Sequence, residues 1–240
     1  MSSIKSKLRL VSGAVAVSLL ASTASATTIS LVYLGTDAVP QQTVQIASAP
    51  AGVTSIPSDS LAFGFNMEDT AGILGRFLAW CVDLGSTIST SATDPKTYTI
   101  TSAPFSNSFG IDDVSRVQRV FDANFGSVDV TDGVQAAGFQ VALWNAVYDT
   151  NWLADDGSFS VANNTAVISQ ANSFLSAAES FTGNQRWRLS FLESATDSAT
   201  GRSIHQNLVT VAPVPLPAAA WLLLAGLAGL GLVGRRSKVA

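Results

Sequence analysis

Cys81 is the only cysteine in 240 residues and His205 the only histidine. Cys81 lies in "FLAWCVDLG", Phe77 to Gly85. A thiolate there would be a nucleophile. Paired with His205 it would resemble a cysteine hydrolase, but Asp83 is two residues away, and a neighbouring carboxylate raises a thiol's pKa. Packed in a core, the same cysteine would be a small hydrophobe. One Cys and one His do not make a zinc site. The carboxylate clusters "DVTDG" (129–133) and "DTNWLADDG" (149–157) do not match the EF-hand spacing. No metal or cofactor is expected, and Asp112–Asp113 reads as the acidic first turn of a helix. Trp152 and Trp187 are candidates for stacking on a glycan.

The two ends of the chain place this chemistry outside the cytoplasm. Lys5, Lys7 and Arg9 precede the apolar run Leu10 to Leu20, and "ASA" (Ala24 to Ala26) follows. That order predicts a secretory signal at 1–26, cut by signal peptidase after Ala26. At the other end Ala218 to Val233 is uninterrupted apolar sequence, near the lower limit for a membrane span. Arg235, Arg236 and Lys238 follow and should stay cytoplasmic, which puts residues 27–212 on the periplasmic side of an inner membrane. A lone exported cysteine has no partner for an internal disulfide. Residues 27–212 carry seven basic and all 17 acidic side chains, a net charge of about −10. Such a domain lacks the basic face that nucleic acid requires.

The elements that must position Cys81 follow from periodicity. "TTISLVYLG", "QTVQIAS", "LAFGFNM", "GRFLAWCVDLG" and "KTYTITS" read as strands, with Leu61, Phe63 and Phe65 on one face of the third. Three helices follow. The first carries Val114, Val117, Phe121 and Phe125 and closes at Gly126. The second starts at Thr131 or Asp132 as N-cap and aligns Val134, Ala137, Val141, Trp144 and Tyr148. The third aligns Val167, Ala171, Phe174 and Ala178. "QRWRLSFLES" and "HQNLVTV" return to strand. The expected fold class is α+β: a β-rich, sandwich-like frame with a helical insertion of about three helices, plus an N-terminal signal helix and a C-terminal transmembrane helix.

Two resemblances add to this reading. "VPLPA" (Val214, Pro215, Leu216, Pro217, Ala218), the apolar helix and the basic tail look like the VPLPA variant of the PEP-CTERM sorting signals of Gram-negative bacteria. The resemblance implies that residues 213–240 are handled by an exosortase, a membrane-embedded transpeptidase. The protein would then pass from the inner membrane to the cell surface or an exopolysaccharide matrix.

"CVDL" on a strand, followed by "FQVALW" on a helix, resembles the thioester domains of bacterial surface adhesins. That resemblance pairs Cys81 with Gln140 as an internal thioester, the sulfur joined to the glutamine side-chain carbonyl. Trp80, Asp83 and Trp144 would surround it, and Phe77, Leu78 and Phe139 would help keep water out. Gln140 and Trp144 are four apart and share a helix face. The implied chemistry is a single-use cross-link to a surface or matrix partner, an amine-bearing protein or a glycan, and not enzymatic turnover. A non-covalent structural or carbohydrate-binding role with a degenerate version of the fold is the alternative.

Overall fold

The structure, a computed structural model, describes residues 27–36, 41–50, 53, 59–102, 104, 106 and 114–213. The expected signal peptide at 1–26, Asp112–Asp113, the VPLPA motif, the apolar run 218–233 and the basic tail lie outside the described residues. Among those described, no helix is long and apolar enough to cross a membrane.

The fold is α+β. Its strands are β1 (Thr27–Gly35), β2 (Gln42–Ser48), β3 (Asp59–Ala62), β4 (Phe65–Asp69), β5 (Arg76–Cys81), β6 (Lys96–Thr101), β7 (Ser160–Ala162), β8 (Trp187–Ser194) and β9 (Leu208–Pro213). The helices are α1 (Val114–Asn124), α2 (Gly133–Tyr148) and α3 (Thr165–Ser180). Six strands close a barrel in the order β1-β4-β5-β9-β8-β6, every neighbouring pair antiparallel. A second sheet has the order β3-β2-β7. The expected sandwich-like frame is thus a closed barrel with a small sheet beside it. Closure removes the open edges that a six-stranded sheet would otherwise expose.

The segment read as one strand from Leu61 to Met67 is two strands in different sheets. The chain leaves the small sheet after Ala62, passes Phe63 and Gly64, and enters the barrel at Phe65. Leu61 is half exposed while Phe63 and Phe65 are buried, so the three do not share one face. The crossing at Gly64 is tight: a Cβ there would stand 2.9 Å from Leu78 Cδ1 and would displace that side chain.

Helix α2 is the centre of the molecule. Fourteen of its 16 residues are buried, as expected when a helix is enclosed by other elements. It packs against α1, α3, β3 and β5. Val134, placed on the buried stripe by periodicity, is only half-buried. Asp132 is the N-cap: its Oδ1 accepts the Val134 and Gln135 N–H groups at 2.8 and 3.1 Å. Asn164 caps α3 from a left-handed conformation (φ 58°), which asparagine tolerates. Gly126 does not end α1. It lies in a 3-10 turn, Phe125–Ser127, that tightens the helix exit.

Candidate functional site at Cys81 and Gln140

Cys81 is the last residue of β5, and Gln140 lies in the middle of α2. On one side Cys81 pairs with Leu208 of β9. On the other side β4 has already ended: its first residue, Phe65, pairs with Ala79. The side chain of Gln140 takes the place of the missing strand. The Cys81 N–H donates to Gln140 Oε1 at 2.9 Å, and Gln140 Nε2 donates to the Cys81 carbonyl at 2.8 Å. Both residues are almost fully buried, so these reciprocal bonds satisfy main-chain groups that water cannot reach.

The thiol is held separately. Sγ donates to the Asp83 carbonyl at 2.8 Å and accepts from the Asp83 N–H at 3.3 Å. Gln206 Nε2 donates to the same Asp83 carbonyl at 3.0 Å. The Asp83 side chain is buried and held by the Gly85 N–H at 2.8 Å and by the Ser203 hydroxyl. Tyr148, at the end of α2, accepts the Leu84 N–H at 2.9 Å, and Tyr98 of β6 donates to the Gln206 carbonyl at 3.1 Å. One loop, 82–85, is therefore tied to α2 and to the 203–206 segment, and Tyr98 ties that segment to β6.

Burial pushes the Cys81 thiol well above its ordinary pKa. The Trp144 indole opposes that shift, the Asp83 carboxylate adds to it, and the Asp83 main chain and Gln206 also oppose it. Trp144 Nε1 meets no acceptor within hydrogen-bonding distance, yet it is near enough to favour a charged sulfur. Tyr98 and Tyr148 are raised too, first by burial and then by the neighbouring acidic groups. In this resting geometry the sulfur is a protonated thiol.

The structure brings Cys81, Gln140, Asp83 and Trp144 together. Trp80 and Phe139 pack edge to face at 4.8 Å between centroids and close the apolar side. Phe77 and Leu78 are not part of this surround. They line a shallow depression on the barrel with Leu34 and Asn66. His205 does not join Cys81: its main chain bonds Ser194, and Lys96 and Asp94 are the charges that act on it. Trp152 is covered by Arg116, 3.7 Å above its ring, and Trp187 packs perpendicular to Phe125. Among the described residues no cluster of acidic, His or Cys side chains could hold a metal. Sequence reasoning missed Gln206 and Tyr148 as neighbours of the thiol, and Ser203 as the partner of Asp83. The only signal for Gln206 was an amide beside the apolar run of β9.

No family model matches the chain and no curated protein matches it. Among solved structures it is similar to the N-terminal domain of the Streptococcus pyogenes pilus tip adhesin Cpa, at 13% identity and a TM-score of 0.41, over 74% of this chain and 100% of that one. It is also similar to the N-terminal thioester domain of a surface protein from Clostridium perfringens, at 14% identity and a TM-score of 0.44, over 78% and 100%. The Bacillus anthracis TIE protein matches at 11% identity and a TM-score of 0.32, over 72% of this chain and 39% of that one. The pairing of Cys81 with Gln140 stands on the contacts described above.

Proposed function

We propose that this is an exported surface or matrix protein that attaches covalently to a partner through a thioester between Cys81 and Gln140. The observation that carries the reading is the reciprocal bonding of the Gln140 carboxamide to the Cys81 main chain. The residue that supplies the nucleophile also grips both ends of the electrophile.

In the reaction the thiol leaves the Asp83 carbonyl and Sγ attacks Gln140 Cδ. The Cys81 N–H, already on Oε1, holds the developing oxyanion. The Cδ–Nε2 bond breaks, and nitrogen departs as ammonia with the proton given up by the thiol. An amine or hydroxyl of the partner then attacks the thioester carbonyl. Its proton passes to the sulfur, Cys81 returns as a thiol, and Gln140 is left in an amide or ester. Each chain reacts once, so this is not enzymatic turnover. Close approach in a dry site supplies the rate, and the buried Trp80, Phe139 and Trp144 limit hydrolysis.

The same reading takes residues 1–26 as a secretory signal and 213–240 as an exosortase-sorted tail, with residues 218–233 in the inner membrane before processing. It rests there on the order of motif, apolar run and basic cluster. A second reading is a non-covalent matrix component. It is favoured by the burial of the thiol, its raised pKa and its bond to the Asp83 carbonyl, which together describe a packed structural cysteine.

The deciding measurement is the intact mass of the purified chain beside those of Cys81→Ala and Gln140→Ala. A deficit of one ammonia in the parent, absent from both variants, supports the thioester. A full mass, with Cys81 alkylated once the chain is unfolded, leaves the second reading.

A further inference from the structure

A cleft of about 360 Å³ opens between the barrel, the small sheet and the 84–90 loop. Its aromatic rings are Tyr33, Phe63, Phe65 and Trp144. Phe63 and Phe65 meet edge to face at 4.9 Å, and Tyr33 meets Phe65 in the same way at 6.2 Å. Around these rings stand neutral hydrogen-bonding side chains: Gln41, Ser60, Ser86, Thr90 and Gln206. Among the described residues of the lining the only charged one is Asp59, and it is exposed. The Thr90 hydroxyl bonds no described residue, and Gln206 donates from Nε2 to Asp83 and keeps its side-chain oxygen.

This lining suits one ligand chemistry. A charged ligand drawn to the floor would lose its hydration with no counter-charge beside it. A purely apolar ligand would cover the Thr90 hydroxyl and the Gln206 side-chain oxygen without pairing either. A neutral saccharide meets both demands: its C–H face packs on aromatic rings and its hydroxyls both donate and accept. We infer that this cleft is a binding site for a neutral saccharide, about a disaccharide in reach.

Two residues make the cleft more than a surface feature. Trp144 and Gln206 line it, and both also act on the Cys81 sulfur. Both side chains therefore belong at once to the cleft and to the surround of Cys81. A saccharide on this floor would lie against the site from which an acyl group would be transferred. The inference stands whether or not the thioester forms, since it uses only the lining.

The test is titration of the full chain, held in a detergent without a sugar headgroup, with cellobiose, maltose and diacetylchitobiose. Tryptophan fluorescence and calorimetry are the readouts. At least one disaccharide should bind with a Kd of about 1 mM. Phe63→Ala, which removes a ring, and Thr90→Arg, which narrows the mouth from an exposed position, should each weaken it at least tenfold. Because Thr90 is exposed, that variant tests the site even if Phe63→Ala fails to fold. Three outcomes would overturn the inference: none of the disaccharides binding at about 20 mM, binding that Thr90→Arg leaves unchanged, or n-butylamine binding while the sugars do not.

Discussion

The carboxamide of Gln140 occupies the position of a neighbouring strand for Cys81. It accepts from the Cys81 N–H at 2.9 Å and donates to the Cys81 carbonyl at 2.8 Å, across 59 residues of sequence. A helix side chain thus completes the hydrogen bonding of a barrel strand where β4 runs out. The contact has a structural consequence independent of any covalent chemistry.

Removing that side chain leaves two buried main-chain groups unpaired. In a Cys81→Ala background, where no acyl–sulfur bond can form, Gln140→Ala should cost about 2–5 kcal/mol. The melting temperature should fall by about 2–4 °C per kcal/mol. Cys81→Ser keeps both main-chain bonds and should cost about 1 kcal/mol. A Cys81→Ala/Gln140→Ala double variant as stable in urea titrations as Cys81→Ala alone would show that the Gln140 pairing contributes nothing to the fold.

Gly138 sits where α2 meets α3. A Cβ there would stand 2.7 Å from Gln170 Cγ and 3.2 Å from the Ala171 main-chain nitrogen. Gln170 is long and can shift, but the Ala171 backbone cannot move without moving α3. Gly138→Ala gains helix propensity of about 1 kcal/mol and incurs an overpacking cost of about 1–3 kcal/mol. A net loss in thermal melts is the expected outcome, and a stabilised variant would mean that α3 yields easily.

Asp69 organises the turn between β4 and β5. Burial alone would raise its pKa. The main-chain donors of Leu74, Ala71 and Ile73 outweigh burial and hold the carboxyl below the usual range. These bonds are 3.0, 3.0 and 2.7 Å long. The native state therefore binds fewer protons than the unfolded chain just below the ordinary carboxylate value of about 3.9. Its stabilisation is complete above that value and is lost as pH falls through the depressed native one. Asp69→Asn should cost about 1–2 kcal/mol at neutral pH, and the gap to the parent should narrow on acidification. A gap that does not change with pH would assign these bonds no dependence on the charge.

How much of this was legible in sequence differs between the frame and the site. β1 and β2 were readable because alternating or β-branched apolar residues end at turn chemistry. The run 61–67 was misread because its period-two pattern continues through Gly64, where the chain changes sheets. β7, three residues long and reading Ser-Val-Ala, carries too little pattern to find. Barrel closure depends on β1 meeting β6 and β8 meeting β9, and periodicity holds no information on which strands meet. At the site, Cys81 and Gln140 were placed together by two short motifs, and the contact is there. The partners of the loop 82–85 were hidden, because Tyr148 reaches it from the end of α2 and Ser203 and Gln206 from a distant irregular segment, with no spacing that links the two.

The raised pKa values of Cys81, Tyr98 and Tyr148 predict alkaline behaviour with a definite sign. An unfolded thiol ionises near about 8.5 and a phenol near about 10. In the native state burial keeps all three protonated beyond those values. Above about pH 8.5 the native chain therefore holds more protons than the unfolded one, and stability falls as pH rises. The fall should begin with Cys81 and steepen once the two tyrosines join it. Cys81→Ala should remove the first part and leave the second, which urea titrations from pH 7 to about pH 11 would resolve. Iodoacetamide should leave native Cys81 unmodified at pH 8.5 and modify it on unfolding. If the sulfur is already acylated, Cys81→Ala will not shift the onset, and the unfolded parent will stay unmodified until hydroxylamine cleaves the thioester. The same pair of experiments therefore separates a buried free thiol from a formed thioester.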